Sequence, residues 1–202
     1  MDNLSRKKQH LPYHYDDPKL MGQQQAYLEL LYAYNQTRPS QSTERQQLLT
    51  KMLASIGSNC HIEPPLHANW GAHNLHLGSG CYINFNLTLV DDADIYIGND
   101  CMISPNVVIA TSGHPILPKL RLHNYVYNFP VTLGDNVWIG SGAQILPGVS
   151  IGDNTVIGAG SVVDKDIPAY VVAYGSPCRV ARAINDQDKT YYFKNHQLDV
   201  WD

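Results

Sequence analysis

Proton transfer near neutral pH is the work of imidazole, and the histidine whose neighbours best suit that work is His114, held between Gly113 and Pro115 in the stretch TSGHP. Imidazole titrates around pH 6.5, so such a side chain can take the proton of a hydroxyl while the oxygen attacks a carbonyl carbon. An idle loop histidine carries the same local sequence, so type and spacing alone make His114 a candidate base. Three carboxylates, Asp91, Asp92 and Asp94, crowd into VDDADIY; they suit the hydroxyls of a small polar acceptor, or simply a solvated bulge. Lys165, Arg179 and Arg182 gather towards the C-terminus and form a set of cations suited to phosphate. No Ser-His or Cys-His motif argues for an acyl-enzyme, so a transfer served by His114 is expected to be direct. The four cysteines are unevenly spaced and form no CxxC pair, which gives neither a zinc signature nor a disulfide framework.

These residues sit in a chain that counts in sixes. From Leu133 it divides into LGDNVW, IGSGAQ, ILPGVS, IGDNTV, IGAGSV and VDKDIP; upstream the same frame gives IGNDCM and ISPNVV, LGSGCY and INFNLT, and IGSNCH and IEPPLH. Positions five and one of successive hexads are two residues apart, so they face one side of a strand, and position six between them faces the other. The inward set is aliphatic or small, whereas positions two to four carry the glycine, aspartate and asparagine of turns. Three strands and three turns make a coil of about 18 residues, and coils stack at roughly 4.8 Å. The expected fold class is mainly β, a parallel β-helix whose hand the pattern does not give. Cys60, Cys81 and Cys101 all fall at position five, which predicts buried, inert thiols. A spacing of six carries a residue to the next wall of the prism, so His61, His67 and His73 are expected to diverge; convergence on a metal needs a spacing near one whole coil.

The count breaks twice. From Leu89 to Ile97 the step is eight, which leaves a bulge around the three carboxylates. From Ile109 to Leu133 it is 24, and the register residues between, Pro115, Arg121 and Tyr127, cannot serve together as core. Residues 111–130 therefore leave the wall as an extruded loop with His114 at its head.

The expected organisation is an N-terminal helical segment over residues 1–55, the β-helix over 56–168 and a C-terminal extension over 169–202. Leu20, Tyr27, Leu28, Leu31 and Tyr34 follow a helical period, as do Leu48, Leu49, Met52, Leu53 and Ile56, with Pro39 and a cap at Ser40 or Ser42 between them. The segment AYGSPCRVAR reads as extended and NDQDKTYYFK as a short helix. With 202 residues, 44% of them hydrophobic and 16% charged, one domain and no second catalytic domain are expected. The absence of a long apolar run or a secretory-type apolar core near the start predicts a cytoplasmic protein without membrane attachment. A formal charge of −4 offers no general attraction to nucleic acid. Met102, Val108, Trp138, Val156 and Val162 stand at the outward position six, and such a row calls for a partner subunit or a ligand. Closed symmetry of triangular prisms suggests a homotrimer with grooves between neighbours.

The stretches NFNLTLVDD, TSGHP, NVWIGSGAQILPGVSIGDNTVIGAGSVV and GSPCRVARAIND together resemble the galactoside and maltose O-acetyltransferase family, from roughly Asp17 to Phe193. The resemblance implies a left-handed β-helix, a trimer with sites between subunits, and transfer of acetyl from acetyl-CoA, as co-substrate, to a sugar hydroxyl. It implies that His114 is the catalytic base and that Asn84 lies at the thioester end of the donor. Trp138, Ser141 and Ala159 become acetyl-CoA contacts, with Ser141 also facing the thioester oxyanion, and Lys165, Arg179 and Arg182 take the phosphates. Asp164 stands where the family has threonine, which leaves a backbone contact there. Asp92 carries over as acceptor-binding, with Asp91 or Asp94 as alternatives. Asn69 carries over from a stretch one residue longer than the family pattern. Asp17 carries over as well, although Asp16 competes with it and an N-cap before Pro18 explains Asp17 structurally. Tyr125 to Phe129 would shape the acceptor pocket. No metal is expected. N-acetylation of amino sugars or xenobiotics on the same fold, a zinc carbonic-anhydrase-like β-helix and a non-enzymatic scaffold are the alternatives.

Overall fold

In the computed structural model, residues 1–200 are described. The last two residues of the expected 169–202 extension lie outside that range. Three sheets of five, five and seven strands form the walls of a solenoid, all parallel except for one antiparallel strand at the end of the seven-stranded sheet. On the first wall the outward residues Ser55, His76, Tyr96, Thr132 and Ser150 stand in register. On the second they are His61, Tyr82, Met102, Trp138 and Val156. On the third they are His67, Thr88, Val108, Gln144 and Val162. Between walls, left-handed Asn59, Asn86, Asp100, Asn106, Asn136 and Asn154 turn the corners, because their short polar side chains tolerate positive φ.

The inside of the solenoid holds the hexad residues expected there. Ile62, Ile83, Ile103, Ile139 and Ile157 form one buried row, in a core that also takes Cys60, Cys81 and Cys101. Each of these thiols donates to a glycine carbonyl of the next coil: Cys60 to Gly78, Cys81 to Gly98 and Cys101 to Gly134, at 2.8, 3.1 and 3.1 Å. Burial pushes the Cys60 thiol above its ordinary range, which suits a structural side chain.

The ends cap this core. Helix α1 (Asn3–Lys8), which the periodicity does not announce, precedes α2 (Pro18–Asn35) and α3 (Ser42–Met52). Asp17 caps α2 through Lys19 N at 2.9 Å, ahead of Pro18 at the first turn. Leu31 and Tyr34 of α2 and Leu49 and Met52 of α3 close the first coil, while Leu28 is turned to solvent. Asn35 ties α2 to that coil by donating to Leu66 O and accepting from Leu66 N, at 2.8 and 2.9 Å. Two sequence expectations are corrected here. Gln41, rather than Ser40 or Ser42, is the residue preceding α3, and its side chain makes no capping bond. The helix stops at Met52, because Ser55–Ile56 already pairs with Leu75–Leu77 as the first strand of the solenoid.

At the other end Val171–Tyr174 continues the second wall and Arg179–Ala183 folds back on it antiparallel. Instead of the expected terminal helix there is one 3₁₀ turn, Asp186–Lys189, followed by a small hairpin of Tyr191–Phe193 with His196–Gln197. Reciprocal capping between Asn185 and Asp188 satisfies the amides at the start of that turn, and the chain then enters the hairpin at Tyr191. No helix among the described residues is long and apolar enough to cross a membrane.

The extruded segment is more than a loop. Ser112–Gly113 pairs antiparallel with Tyr125–Asn128, α4 (Pro118–Leu122) forms between them, and Tyr13–His14 adds a third strand. A sheet of this kind fixes His114 far better than an isolated loop does.

Stacked coils leave no room for a side chain where glycines touch. A Cβ at Gly78 meets backbone atoms of Gly98 and Asn99 at 2.6–2.7 Å, whereas one at Gly22, inside α2, meets nothing within 4 Å. Gly78→Ala is expected to destabilise the chain by about 1–3 kcal/mol, and Gly22→Ala to stabilise it by about 0.5–1 kcal/mol. Urea unfolding of the two variants beside the parent checks both signs.

Candidate active site

Where the extruded sheet meets the N-terminal segment lies a cavity of about 560 Å³. Tyr13 lines it from the N-terminal strand, Tyr15 from the turn after that strand, Met21 and Gln24 from α2, and Asn69 and Trp70 from the turn after His67–Ala68. Val90 and Asp92 come from the first break in the hexad count, and Ser112, Gly113, His114 and Val126 from the second. Both interruptions of the repeat thus open onto one space, which collects His114, Asp92 and Asn69 of the sequence candidates.

The proton inventory of His114 is set by its partner. Its Nδ1 lies 3.3 Å from the carbonyl oxygen of Tyr125. A carbonyl only accepts, so Nδ1 carries the hydrogen and the neutral ring keeps its lone pair on Nε2. Tyr125 is itself fixed, paired with His14 in the sheet and packed against the His14 ring at 4.1 Å. The ring of His114 is exposed at the cavity rim, open to a reactant.

Asp92 is organised by more donors. Trp70 Nε1 and the Tyr13 hydroxyl reach Oδ1 at 3.2 and 3.4 Å, and Asn69 Nδ2 reaches Oδ2 at 3.0 Å. Asn128 Nδ2 holds the Asp92 backbone oxygen at 3.1 Å. Desolvation, reinforced by the neighbouring Asp92 charge, pushes the Tyr13 phenol well above its ordinary range, so it serves as a donor. Lys7 Nζ lies 3.7 Å from the centre of the Trp70 ring, and burial lowers its pKa against the attraction of the nearby aspartates.

The bulge is not the solvated one that redundant acids suggest. Asp91 is fully buried, Asp92 nearly so, and Asp94 bonds His76 instead of the cavity. Asp91 Oδ1 accepts the Trp70 amide at 2.6 Å, while Oδ2 has no partner. Burial raises the Asp91 pKa to about 6, with the Trp70 amide pulling the other way. Asp91 therefore shapes the turn that carries Asn69 and Trp70, and Asp92 is the carboxylate that meets the cavity.

The remaining candidates lie elsewhere on the single chain. Asn84 is half-buried with Oδ1 accepting Phe85 N at 2.9 Å, a turn contact. Trp138 is 52% exposed on the second wall and donates to Ser104 Oγ at 3.2 Å. Ser141 and Ala159 are exposed on successive coils, linked through Gly160 N to Ser141 O. Arg179 is paired with Asp164 at 2.8 Å and Arg182 with Asp188 at 2.7 Å, while Lys165 is exposed. Asp17 also lies outside the cavity, since its carboxylate accepts from Lys19 N and Asn3 Nδ2; Asp16 is held by Asn124 Nδ2 at 2.9 Å. Tyr13, Tyr15, Met21, Gln24 and Trp70 escape a reading of the sequence, because no motif links residues up to 79 positions apart. His61, His67 and His73 do diverge: His61 bonds Glu63, His67 stands on the third wall and His73 stacks on Tyr27. Among the described residues no group of three or more His, Cys, Asp or Glu side chains is arranged to hold a metal.

Comparison with known proteins agrees with this architecture. Residues 130–165 match the family described as bacterial transferase hexapeptide (six repeats), and residues 9–57 match the maltose acetyltransferase hexapeptide capping motif. A galactoside O-acetyltransferase of Lactococcus lactis subsp. lactis (strain IL1403) is 51% identical over 188 residues, covering 93% of this chain and 91% of that protein. A solved galactoside acetyltransferase in complex with coenzyme A superposes with a TM-score of 0.95 at 44% identity, covering 99% of this chain and 100% of that one. A maltose O-acetyltransferase from Clostridium difficile 630 gives 0.89 at 38% identity, covering 92% and 98%.

The buried Asp91 makes stability depend on pH. Its folded pKa of about 6 lies above the ordinary 3.8, so its contribution is greatest below about pH 4 and is lost as pH rises through 6. The loss is on the order of 3 kcal/mol. Asp91→Asn keeps an acceptor for the Trp70 amide without the charge, so relative to the parent the variant should gain stability between pH 4 and pH 8. Unfolding curves at the two pH values measure that difference.

Proposed function

Because the chain belongs to the galactoside and maltose O-acetyltransferase family, we propose that His114 is the general base of its reaction and that the cavity beside it holds a sugar acceptor. The chain is an acetyl-CoA-dependent O-acetyltransferase, which moves acetyl from the thioester to a hydroxyl. The observation that carries the assignment of the base is the bond from Nδ1 to Tyr125 O, which leaves Nε2 with the lone pair at the rim of the cavity that contains Asp92.

The steps are dictated by that placement of protons. Nε2 of His114 takes the acceptor's hydroxyl proton as the oxygen attacks the thioester carbon; the tetrahedral intermediate collapses with rupture of the C–S bond, and the imidazolium returns its proton to the departing thiolate. Asp92 accepts three side-chain bonds, and a carboxylate has about four acceptor positions, so capacity remains for a hydroxyl of the acceptor. Tyr13, Tyr15 and Trp70 offer flat apolar surface while Asn69, Gln24 and Ser112 offer polar edges. That combination suits a sugar ring better than a bare amine.

Donor binding draws on the second wall, where Tyr82, Met102 and Trp138 stand exposed in one row. His114 leaves from the third wall instead, so a second copy laid against the first would set its Trp138 row beside this chain's base. Closing the arrangement with a third copy gives a homotrimer with three equivalent sites, the donor running along Asn84, Trp138, Ser141 and Ala159 towards Lys165, Arg179 and Arg182. Four unpaired buried cysteines and an acetyl-CoA donor fit a cytoplasmic setting.

His114→Ala is expected to lower kcat by about 10²–10⁴-fold while calorimetry shows coenzyme A binding unchanged; undiminished turnover would remove the base. A panel of sugars and amines, followed by release of the coenzyme A thiol, tests the acceptor class, and turnover confined to amines would overturn the sugar assignment. Asp92→Asn should raise the acceptor KM with little change in that for acetyl-CoA. Sedimentation equilibrium should give three times the chain mass of 22.5 kDa.

A further inference from the structure

The first wall carries a second cluster of chemistry, separate from the cavity. Ser55 Oγ lies 3.3 Å from His76 Nδ1, and His76 Nε2 lies 3.1 Å from Asp94 Oδ1. The sequence separations are 21 and 18 residues, one coil each, so the stacking brings together three residues that form no motif along the chain. A carboxylate only accepts, so Nε2 carries the hydrogen of neutral His76, Nδ1 has the lone pair, and the Ser55 hydroxyl donates to it. Tyr96 stacks on the imidazole at 4.6 Å and 21°, which fixes the plane of the ring. Ser55 is exposed and borders an open groove of about 350 Å³ together with His76, Tyr96 and Gly78. The outward row of this wall is Ser55, His76, Tyr96, Thr132 and Ser150, which lacks the apolar run of Met102, Trp138 and Val156 on the second wall and suits contact with water.

The geometry points to Ser55 as a nucleophile activated by the His76–Asp94 pair, a self-acylation site for small activated acyl esters and thioesters. In that step the Ser55 Oγ–H proton passes to His76 Nδ1 as Oγ bonds the acyl carbon. The bond from that carbon to the leaving oxygen or sulfur breaks, and the proton goes on to the departing phenolate or thiolate. Asp94 holds the imidazolium through Nε2–H meanwhile. The acyl donor of the main reaction, acetyl-CoA, belongs to this class of reagent. The amides of Gly57 and Gly78 are spent on Leu77 O and Ile97 O of the coil ladder, so they are not available to stabilise an oxyanion. Both acylation and hydrolysis are then slow; an activated ester or thioester carries a better leaving group than the serine ester it forms, so Ser55 accumulates the acyl group and does not turn over as an esterase.

The test uses the full chain and p-nitrophenyl acetate, with nitrophenolate release followed by absorbance and the adduct located by peptide mass. The exposed Ser58, one turn away and bonded to Ser79 instead of a histidine, is the internal control. Ser55 is expected to acquire one acetyl group about 10²-fold faster than Ser58, in the parent and in His114→Ala alike. Ser55→Ala should abolish that adduct and leave sugar acetylation unchanged. His76→Ala should slow it to the rate of Ser58, and Asp94→Asn, which no longer demands a hydrogen on Nε2, should slow it at least tenfold. The same order is expected, more slowly, with acetyl-CoA. No adduct on Ser55 in the parent, or labelling at Ser58's rate, overturns the inference. So does a rate that neither His76→Ala nor Asp94→Asn lowers. Loss of sugar acetylation in His114→Ala reads the main site separately.

Discussion

The inter-coil hydrogen-bond ladder is the constraint on which the rest of this molecule depends. Amides of one coil reach carbonyls of the next, as Gly78 N does Ile97 O at 2.8 Å and Gly134 N does Ile151 O at 2.8 Å. Once that ladder is satisfied, each hexad position is stacked on its equivalent in the adjoining coil. Inward rows must then be aliphatic or small, and outward rows become continuous stripes whose chemistry is set by whichever residues recur. The apolar stripe of Tyr82, Met102 and Trp138 and the polar stripe of Ser55, His76 and Tyr96 are two products of one geometry.

A regular solenoid has flat walls and no cavity, so chemistry enters where regularity is interrupted. The bulge at Asp91–Asp94 sets one carboxylate in the core of a turn and another at the wall of the cavity, and the segment 111–130 carries His114 out beside it. The N-terminal segment finishes the enclosure, since Tyr13 supplies both a strand to the extruded sheet and a hydrogen bond to Asp92. This arrangement leaves a buried carboxylate, Asp91, with an oxygen that has no partner. Such a group is costly to ionise. It persists because its other oxygen fixes the Trp70 amide, and with it the indole that orients Asp92.

The residues that the family resemblance assigns to donor and to acceptor lie on different walls of one chain. His114, Asp92 and Asn69 share a cavity, while Asn84, Trp138, Ser141 and Ala159 do not reach it. The proposed apposition of a second copy would cover the tryptophan and methionine that stand exposed on the second wall, Trp138 and Met102. At the far end the arginines expected to meet phosphate are already engaged, Arg179 by Asp164 and Arg182 by Asp188, through exposed pairs that a phosphate can displace at modest cost.

What the sequence determined alone is everything that repeats. Hexads name the inward residues, place Cys60, Cys81 and Cys101 in the core and Trp138 outside, and mark both interruptions, because a period of six ties side-chain direction to position number. The resemblance of SGHP and VDD to one enzyme family likewise singled out His114 and Asp92 among nine histidines and several acids. What only the tertiary structure decided is the set of partners: Tyr13 and Trp70 on Asp92, Tyr125 behind His114, and His76 between Ser55 and Asp94. Local pattern also misjudged Asp91, the end of α3 and the C-terminal turn. The physical reason is the same in each case, since burial and hydrogen bonding are set by residues a coil or more distant, and periodicity records only the direction in which a side chain leaves its own strand.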